Sequence, residues 1–143
     1  MNFVALQIKT SPRFEDNLIY LKNLIHSCEE NSLILAPELA LSGFCYERME
    51  EASDFSIKAI EQLKQLSSNK IIALTFITKE NEKFFNTLYV FHKQKIVHTQ
   101  SKVQLFPLGN ELEYFNAGDE KDIKIIEING IKENKDVVKV PEL

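Results

Sequence analysis

Two residues of opposite charge each follow a run typical of a buried strand. Glu38 closes the run Leu33–Glu38, and Lys102 follows the run Lys95–Ser101. A carboxylate can take a proton in a reaction, and an ammonium can stabilise negative charge that develops on a substrate. The pair therefore predicts a catalytic site. Such a site still needs a nucleophile, and no cysteine follows Lys102 in the sequence.

The elements that must position this pair alternate between strand and helix patterns. The first predicted helix has Ser11 as N-cap and Pro12 as its first residue, and it ends at about Glu30. The second predicted helix runs from about Asp54 to Ser67. Strands are predicted at residues 3–9, 33–36, 70–78, 84–92 and 95–100, with 39–52 as a loop. The order β-α-β-α-β-β-β predicts an α/β fold on a mainly parallel sheet, with the later strands added by hairpins.

The pattern changes after Lys102. Residues 103–119 contain one proline and two glycines among aromatics and are predicted to form a long ordered loop, which in a compact domain is usually functional. Residues 123–128 alternate apolar and charged types, which predicts a strand, and Asn129–Gly130 is a strong hairpin signal. The returning segment is polar at 132–136, so it is a poor partner for that strand.

Composition excludes several classes of protein. The 143 residues suffice for one domain with a real core, and the net charge is −4 with scattered lysines, which argues against a nucleic-acid surface. No apolar run approaches the roughly 18 residues that span a bilayer, and the N-terminus lacks signal-peptide features. Cys28 and Cys45 form no disulfide framework. We therefore expect reduced thiols in a cytoplasmic protein that binds neither membranes nor nucleic acids.

Five segments in order resemble motifs of one enzyme family. They are Asn17–Leu18, Ala36–Phe44, Phe85–Thr87, Ser101–Phe106 and Glu111–Asp119. With these motifs the chain resembles the carbon–nitrogen hydrolase family, the nitrilase and amidase superfamily, from about residue 3 to residue 131. The resemblance implies an α/β fold that is one half, a truncated half, of a nitrilase-type α-β-β-α sandwich.

The resemblance also implies an activity and roles for the charged residues. Family members hydrolyse non-peptide C–N bonds of small amides, nitriles or carbamoyl compounds with a Glu-Lys-Cys triad, without metal or cofactor. Glu38 would be the general base and Lys102 the cation that stabilises the tetrahedral intermediate. Glu111 maps onto an additional glutamate that positions substrate or catalytic groups, and Glu113 is the alternative if the register differs by two.

The nucleophile of the family is missing from its usual place. Residues 132–138, where its strand is expected, contain no cysteine. We therefore predict an N-terminal hydrolase part at 1–131 and a divergent tail at 132–143, with a chain that is truncated and inactive alone. Two alternatives stay open. The first is a non-catalytic remnant or binding half-domain, which would have a large exposed apolar sheet face. The second is one half of a split enzyme. The implied partners are a homodimer copy or a complementary C-terminal half.

Other reactive side chains have simpler explanations. Cys45 is seven residues beyond Glu38 and could act as a substitute nucleophile. Reactive thiols need an electropositive setting. We therefore prefer the interpretation that Cys45 is an unreactive loop thiol between two aromatic residues. Cys28 lies on the apolar helix face and is predicted to pack. The three histidines show no metal-ligand spacing, and the sequence predicts no metal site.

Overall fold

In the computed structural model of the chain, residues 1–128 are described. They form one five-stranded sheet with two long helices. The predicted turn at Asn129–Gly130 and the divergent tail at 132–143 lie outside these residues. None of the described helices is long and apolar enough to cross a bilayer.

The predicted order of elements is confirmed. The strands are β1 (Asn2–Ala5), β2 (Ser32–Leu35), β3 (Ile71–Glu80), β4 (Lys83–His92) and β5 (Lys95–Ser101). The helices are α1 (Phe14–Ser27), α2 (Met49–Gln65) and a single turn, α3 (Glu111–Tyr114), with 3-10 turns at Tyr46–Arg48, Pro107–Gly109 and Glu120–Asp122.

The sheet is half parallel and half antiparallel. Its strand order is β1-β2-β3-β4-β5, with β1, β2 and β3 parallel and β4 and β5 joined by antiparallel pairing. Both hairpins turn through two residues with left-handed backbone, Asn81–Glu82 and Lys93–Gln94, a geometry that matches the natural twist of paired strands. Because β5 again runs parallel to β2, the segments that follow both strands leave the sheet at the same edge.

The main core lies between the helices and one face of the sheet. The apolar faces of α1 and α2 pack on alternate residues of the strands, as their three- and four-residue spacing predicts. Its largest fully buried members include Leu18, Leu21, Leu63, Phe76 and Phe91.

The opposite face of the sheet is less exposed than predicted. Its central residues, Leu33, Ile71, Ala73, Leu88 and Val90, are buried, and Ile128 belongs to the same cluster, with Ile126 packed against it. The prediction of a large exposed apolar face is therefore wrong at the centre of the sheet. Towards the β1 edge, Phe3 and Leu35 are exposed.

Several boundaries differ from the predictions. Strand β1 ends at Ala5 rather than at residue 9, and α1 ends at Ser27 rather than near Glu30. Helix α1 begins at Phe14 without a side-chain cap, because Ser11 hydrogen-bonds to the backbone of Arg13 instead. Helix α2 begins at Met49, inside the predicted loop, because its first turn is held by burial of Met49 and Ala52. Residues 123–128 form no strand; a single bridge residue, Ile126, is all that the structure assigns there.

Candidate active site

The ammonium of Lys102 lies between two carboxylates. Its Nζ is 2.9 Å from Glu38 Oε1 and 3.0 Å from Glu111 Oε1. The side chain of Glu111 is 4% exposed, that of Lys102 12% and that of Glu38 34%. The structure thus brings together all three predicted site residues, and exposure increases from Glu111 towards Glu38.

The backbone of Lys102 is held on both sides. Its N–H donates to the carbonyl of Asn86 on β4 at 2.7 Å, and its carbonyl accepts from the N–H of Gly118 at 2.9 Å. A Cβ at position 118 would overlap the carbonyl oxygen of Ser101, so the loop can approach this closely only with glycine. Gly118, in the segment Glu111–Asp119, is therefore needed to fix the residue that bears the ammonium.

Glu38 lies in a tight turn that crosses from β2 towards β3. The next residue, Leu39, has a left-handed φ of 49°, and its N–H donates to Thr75 Oγ1 on β3 at 2.7 Å. The buried amide of Asn17 on α1 donates to the carbonyl of Leu41 at 2.8 Å and so ties the turn to the helix. These bonds explain why the segment after Pro37 does not continue as a strand.

Asn86 orients the carboxylate of Glu38. Its Nδ2 donates to Glu38 Oε1 at 2.6 Å, from the centre of the sheet, where Asn86 pairs with Ile77. Oε1 of Glu38 thus accepts from both Asn86 and Lys102, whereas no bond to Oε2 is found within residues 1–128. Oε2 is therefore the oxygen available to accept a proton.

Glu111 connects Lys102 to the loop above it. Its Oε2 accepts from the N–H of Phe106 at 2.6 Å, while its Oε1 accepts from Lys102. The same loop is tied down by Tyr46, whose hydroxyl donates to the carbonyl of Gly109 at 2.6 Å. Glu113, the alternative in the sequence, is exposed and has no side-chain bond to Lys102. The structure thus places Glu111, rather than Glu113, against the ammonium.

The ammonium of Lys102 keeps its proton and has one donor left. Burial by itself lowers the pKa of Lys102, but the hydrogen bonds to Glu38 and Glu111 outweigh burial, and the pKa is raised. A lysine ammonium has three N–H donors, and the two carboxylates occupy two of them. The third N–H can donate to an oxygen or nitrogen that gains negative charge in a reaction.

An open cavity of about 440 Å³ leads to this cluster. Besides the three charged residues, it is lined by Phe44, Gln104, Leu105, Phe106 and Pro107. Below the charges lies a second apolar cluster that includes Leu39, Ile77, Leu105 and Phe115. The arrangement combines a base, a fixed cation and a partly apolar wall.

Neither cysteine lines this cavity. Cys45 is buried within the second apolar cluster, where burial raises the pKa of its thiol. A thiol with a raised pKa is a poor nucleophile at neutral pH. Cys28 packs against the main core at the end of α1. The preference for Cys45 as a packed thiol is thus supported.

A larger cavity of about 580 Å³ lies beside β4 and β5. Hydroxyl groups of Thr78, Thr87 and Ser101 line it and bond to one another at 2.8 and 3.0 Å. Its lining includes Glu80, Asp122 and Lys124, but within residues 1–128 no ion pair joins them. The smaller cavity is therefore the candidate for chemistry. Among the described residues, no group of three or more His, Cys, Asp or Glu side chains is arranged to bind a metal ion.

Comparison with known structures identifies the fold. The chain superposes on a CN-hydrolase superfamily protein from Xanthomonas campestris with a TM-score of 0.70 and 21% identity, over 86% of this chain and 47% of that one. It superposes on an amidase of the nitrilase superfamily from Nesterenkonia with a TM-score of 0.73 and 15% identity, over 87% and 51% of the two chains. The chain has the fold of the N-terminal part of the carbon–nitrogen hydrolase superfamily.

One curated relative adds a similarity in sequence. The chain is 26% identical over 109 residues to a Staphylococcus lugdunensis protein named "Hydrolase in agr operon". The alignment covers 73% of this chain and 47% of the relative. No family model matches the chain. The chain spans about half the length of this curated relative and of the two superposed proteins. The kind of protein that it resembles is a hydrolase of the carbon–nitrogen type.

Proposed function

We propose that residues 1–128 supply two parts of a carbon–nitrogen hydrolase site for small amides or nitriles. These parts are the general base and the cation that binds the oxyanion. The observation that supports this most strongly is the position of Lys102, held between Glu38 and Glu111 at the base of an open cavity. Two bonds fix the ammonium and leave one donor free, so it needs no reorganisation when charge develops on the substrate.

In the proposed reaction a cysteine thiol attacks the substrate carbon. Oε2 of Glu38 takes the thiol proton, sulfur bonds to the carbonyl carbon, and the third N–H of Lys102 donates to the oxygen that becomes negative. Glu38 then gives the proton to the departing amine, leaving a thioester. In the second half Glu38 takes a proton from water, whose oxygen bonds to the acyl carbon. The C–S bond then breaks, Glu38 returns the proton to the sulfur, and the acid and the free thiol are released. A nitrile instead adds the thiol across its C≡N bond, and the thiol proton passes through Glu38 to the nitrogen, which gives a thioimidate without loss of a group. One water then displaces ammonia to leave the thioester, and a second water releases the acid.

The names of the matched proteins support this class of reaction. One structure of the Nesterenkonia amidase contains acrylamide, and another shows covalent addition of the acetamide moiety of fluoroacetamide at the active-site cysteine. These statements concern that enzyme. For the present chain, we take from them the choice of small amides as probes.

The thiol of this mechanism is proposed to come from outside residues 1–128. Neither Cys28 nor Cys45 lines the cavity, so we infer that the 143-residue polypeptide alone does not hydrolyse amides. The assay is release of ammonia from acetamide, followed for a burst and for turnover. Turnover that is lost on Cys45→Ala would overturn this inference and make Cys45 the nucleophile.

A complementary chain that supplies the thiol fits the coverage of about half of the curated relative and of the Xanthomonas campestris protein. The alternative is a non-catalytic remnant or binding half-domain. The coding sequence downstream of codon 143, translated in all three frames, separates the two. A segment that encodes a buried strand with a cysteine supports the enzyme; its absence leaves the non-catalytic alternative. A cytoplasmic location also stays a prediction.

Amide binding tests the proposed function without turnover. We expect acetamide, titrated into the ¹⁵N-labelled chain, to shift the amide resonances of Phe106 and other cavity residues. The dissociation constant should be no lower than roughly 40 μM, since about four heavy atoms give at most roughly 6 kcal/mol. In Lys102→Met the binding should be lost. Equal binding to both proteins, or shifts that map elsewhere, would refute the proposal.

A further inference from the structure

The segment of residues 106–114 carries Glu111 but buries little else. Leu105 before it and Phe115 after it are buried, and between them the side chain of Glu111 is the only one buried within the described chain. Apolar burial among residues 1–128 therefore contributes little to the position of this segment. Specific contacts must hold its buried glutamate in place.

Tyr46 contacts both ends of the turn that carries Glu111. Its hydroxyl donates to the carbonyl of Gly109 at 2.6 Å, just before the turn. Its ring stacks on that of Tyr114, the last residue of α3, with the ring centroids 4.4 Å apart and an interplanar angle of 18°. One side chain thus holds the turn by a hydrogen bond at one end and by an aromatic contact at the other.

The backbone that carries Tyr46 is itself well fixed. Cys45 and Met49, on either side of the 3-10 turn, are buried in the second apolar cluster, and Tyr46 packs against that cluster. Within the turn, Arg48 donates to the carbonyl of Pro12 at 2.6 Å, just before α1. Tyr46 is therefore attached to the helical side of the domain and can hold a neighbouring segment in place.

We propose that Tyr46 is a positioning residue of the candidate site, which keeps Glu111 against Lys102 through its contacts with Gly109 and Tyr114. The inference rests on the proposed function, in which the ammonium of Lys102 stabilises the oxyanion. Tyr46 does not belong to the cavity lining that the described residues form, so it acts through Glu111 and not on a substrate.

Release of the turn breaks two bonds together. Glu111 bonds through Oε1 to the ammonium of Lys102 and through Oε2 to the N–H of Phe106, so both bonds are lost when the turn moves away. The ammonium then keeps Glu38 as its one remaining carboxylate partner of the pair. Its free donor is no longer held in a fixed direction, which removes the preorganisation that the reaction requires.

The N–H of Phe106 reports on this hold. It donates to Glu111 Oε2 at 2.6 Å, so it exchanges with solvent only when the turn releases it. An opening limited to the turn lets this amide exchange faster than amides at the centre of the sheet, whose exchange requires unfolding. Hydrogen exchange at Phe106 therefore measures the release of Glu111, and exchange in the sheet measures global stability.

Three variants of the 143-residue chain test the hold by hydrogen exchange and NMR. Tyr46→Phe keeps the stack and removes the hydroxyl, so we expect exchange at Phe106 to become about fivefold faster, because one net hydrogen bond is lost. Lys102→Met removes the other contact that holds Glu111 and should speed exchange at least about tenfold, because that bond is charged. Tyr114→Phe is the matched control. It removes the other hydroxyl of the stacked pair, leaves the hydrogen bond of Tyr46 in place and should leave exchange unchanged.

The outcomes separate positioning from a purely structural role. If Tyr46→Phe leaves exchange at Phe106 unchanged, even with a lower global stability, Tyr46 does not hold the turn and the inference is refuted. It is also refuted if Lys102→Met leaves exchange unchanged, because the opening then does not separate Glu111 from Lys102, or if Tyr114→Phe has the same effect as Tyr46→Phe. These measurements use no ligand. If acetamide does not bind, the proposed function fails, and exchange still decides whether Tyr46 holds Glu111.

Discussion

Replacement of Glu111 by glutamine should destabilise the protein far more than the same change at Glu113. Glu111 is buried and accepts two hydrogen bonds, from Lys102 at 3.0 Å and from the N–H of Phe106 at 2.6 Å. The amide of glutamine has one oxygen, so it can keep one of these bonds, and its NH₂ group must then face the other donor. The two glutamates lie two residues apart in the same helical turn, and Glu113 is exposed, which makes it the matched control.

The expected loss follows from these contacts. A hydrogen bond to a charged group contributes about 1.5–3 kcal/mol. Removal of one partner from a buried ion pair costs roughly 3–5 kcal/mol, but Lys102 keeps Glu38, so the lower range applies. We predict that Glu111→Gln lowers the free energy of unfolding by about 2–3 kcal/mol and that Glu113→Gln changes it by less than about 0.5 kcal/mol.

Urea denaturation followed by circular dichroism measures both values. A loss below about 0.5 kcal/mol for Glu111→Gln, or equal losses for the two variants, would refute the argument that Glu111 holds Lys102 and the loop together. Equal slopes of the transitions with denaturant are needed for the comparison, because a changed slope would mean a changed native or denatured state.

Three further predictions concern other residues of the fold. Gly118→Ala should cost about 2 kcal/mol or more, because its Cβ meets the backbone of Ser101, whereas the Cβ of Gly109→Ala meets a side chain at 3.3 Å and should cost less; thermal unfolding of both variants tests this. Asn17→Ala should lose about 3 kcal/mol of unfolding free energy in urea, because three buried or partly buried hydrogen bonds are removed; a loss under about 1 kcal/mol contradicts it. Burial, and to a smaller extent a nearby lysine, lowers the pKa of His98. The stability that His98 contributes is therefore present above its unfolded pKa of about 6.5 and is lost as pH falls below that value. His98→Gln should show a weaker fall in stability between about pH 7.5 and 5.5, and parallel pH profiles of the two proteins would count against this.

The order of the elements could be predicted because each strand and helix has its own hydrophobic period. Glu38 and Lys102 could be paired in advance because each follows a strand and the topology returns β5 parallel to β2. The starts of the helices were less predictable. Ser11 has the chemistry of a cap, yet its hydroxyl bonds within the loop, and the first turn of α2 is fixed by tertiary burial of Met49 rather than by local sequence.

The contacts that orient the site depend on register between distant segments. Asn86 belongs to the Phe85–Thr87 motif, but the resemblance assigned it no role. Its bond to Glu38 depends on the pairing of β3 with β4 and on the path of the turn after β2. The choice between Glu111 and Glu113 likewise depends on which face of α3 is turned inward, and one helical turn has too few residues to show a period. Nothing in the sequence near Gly118 indicates its contact with Ser101, which lies on another segment.

The central claim is that the free donor of Lys102 binds the oxygen of an amide substrate. A crystal structure of the 143-residue chain soaked with butyramide tests it most directly. The account predicts the amide in the cavity with its oxygen within about 3.2 Å of Lys102 Nζ and its carbon chain against Phe44 and Phe106. An amide bound with its oxygen away from Lys102, or an empty cavity at a ligand concentration that saturates binding in solution, would contradict it.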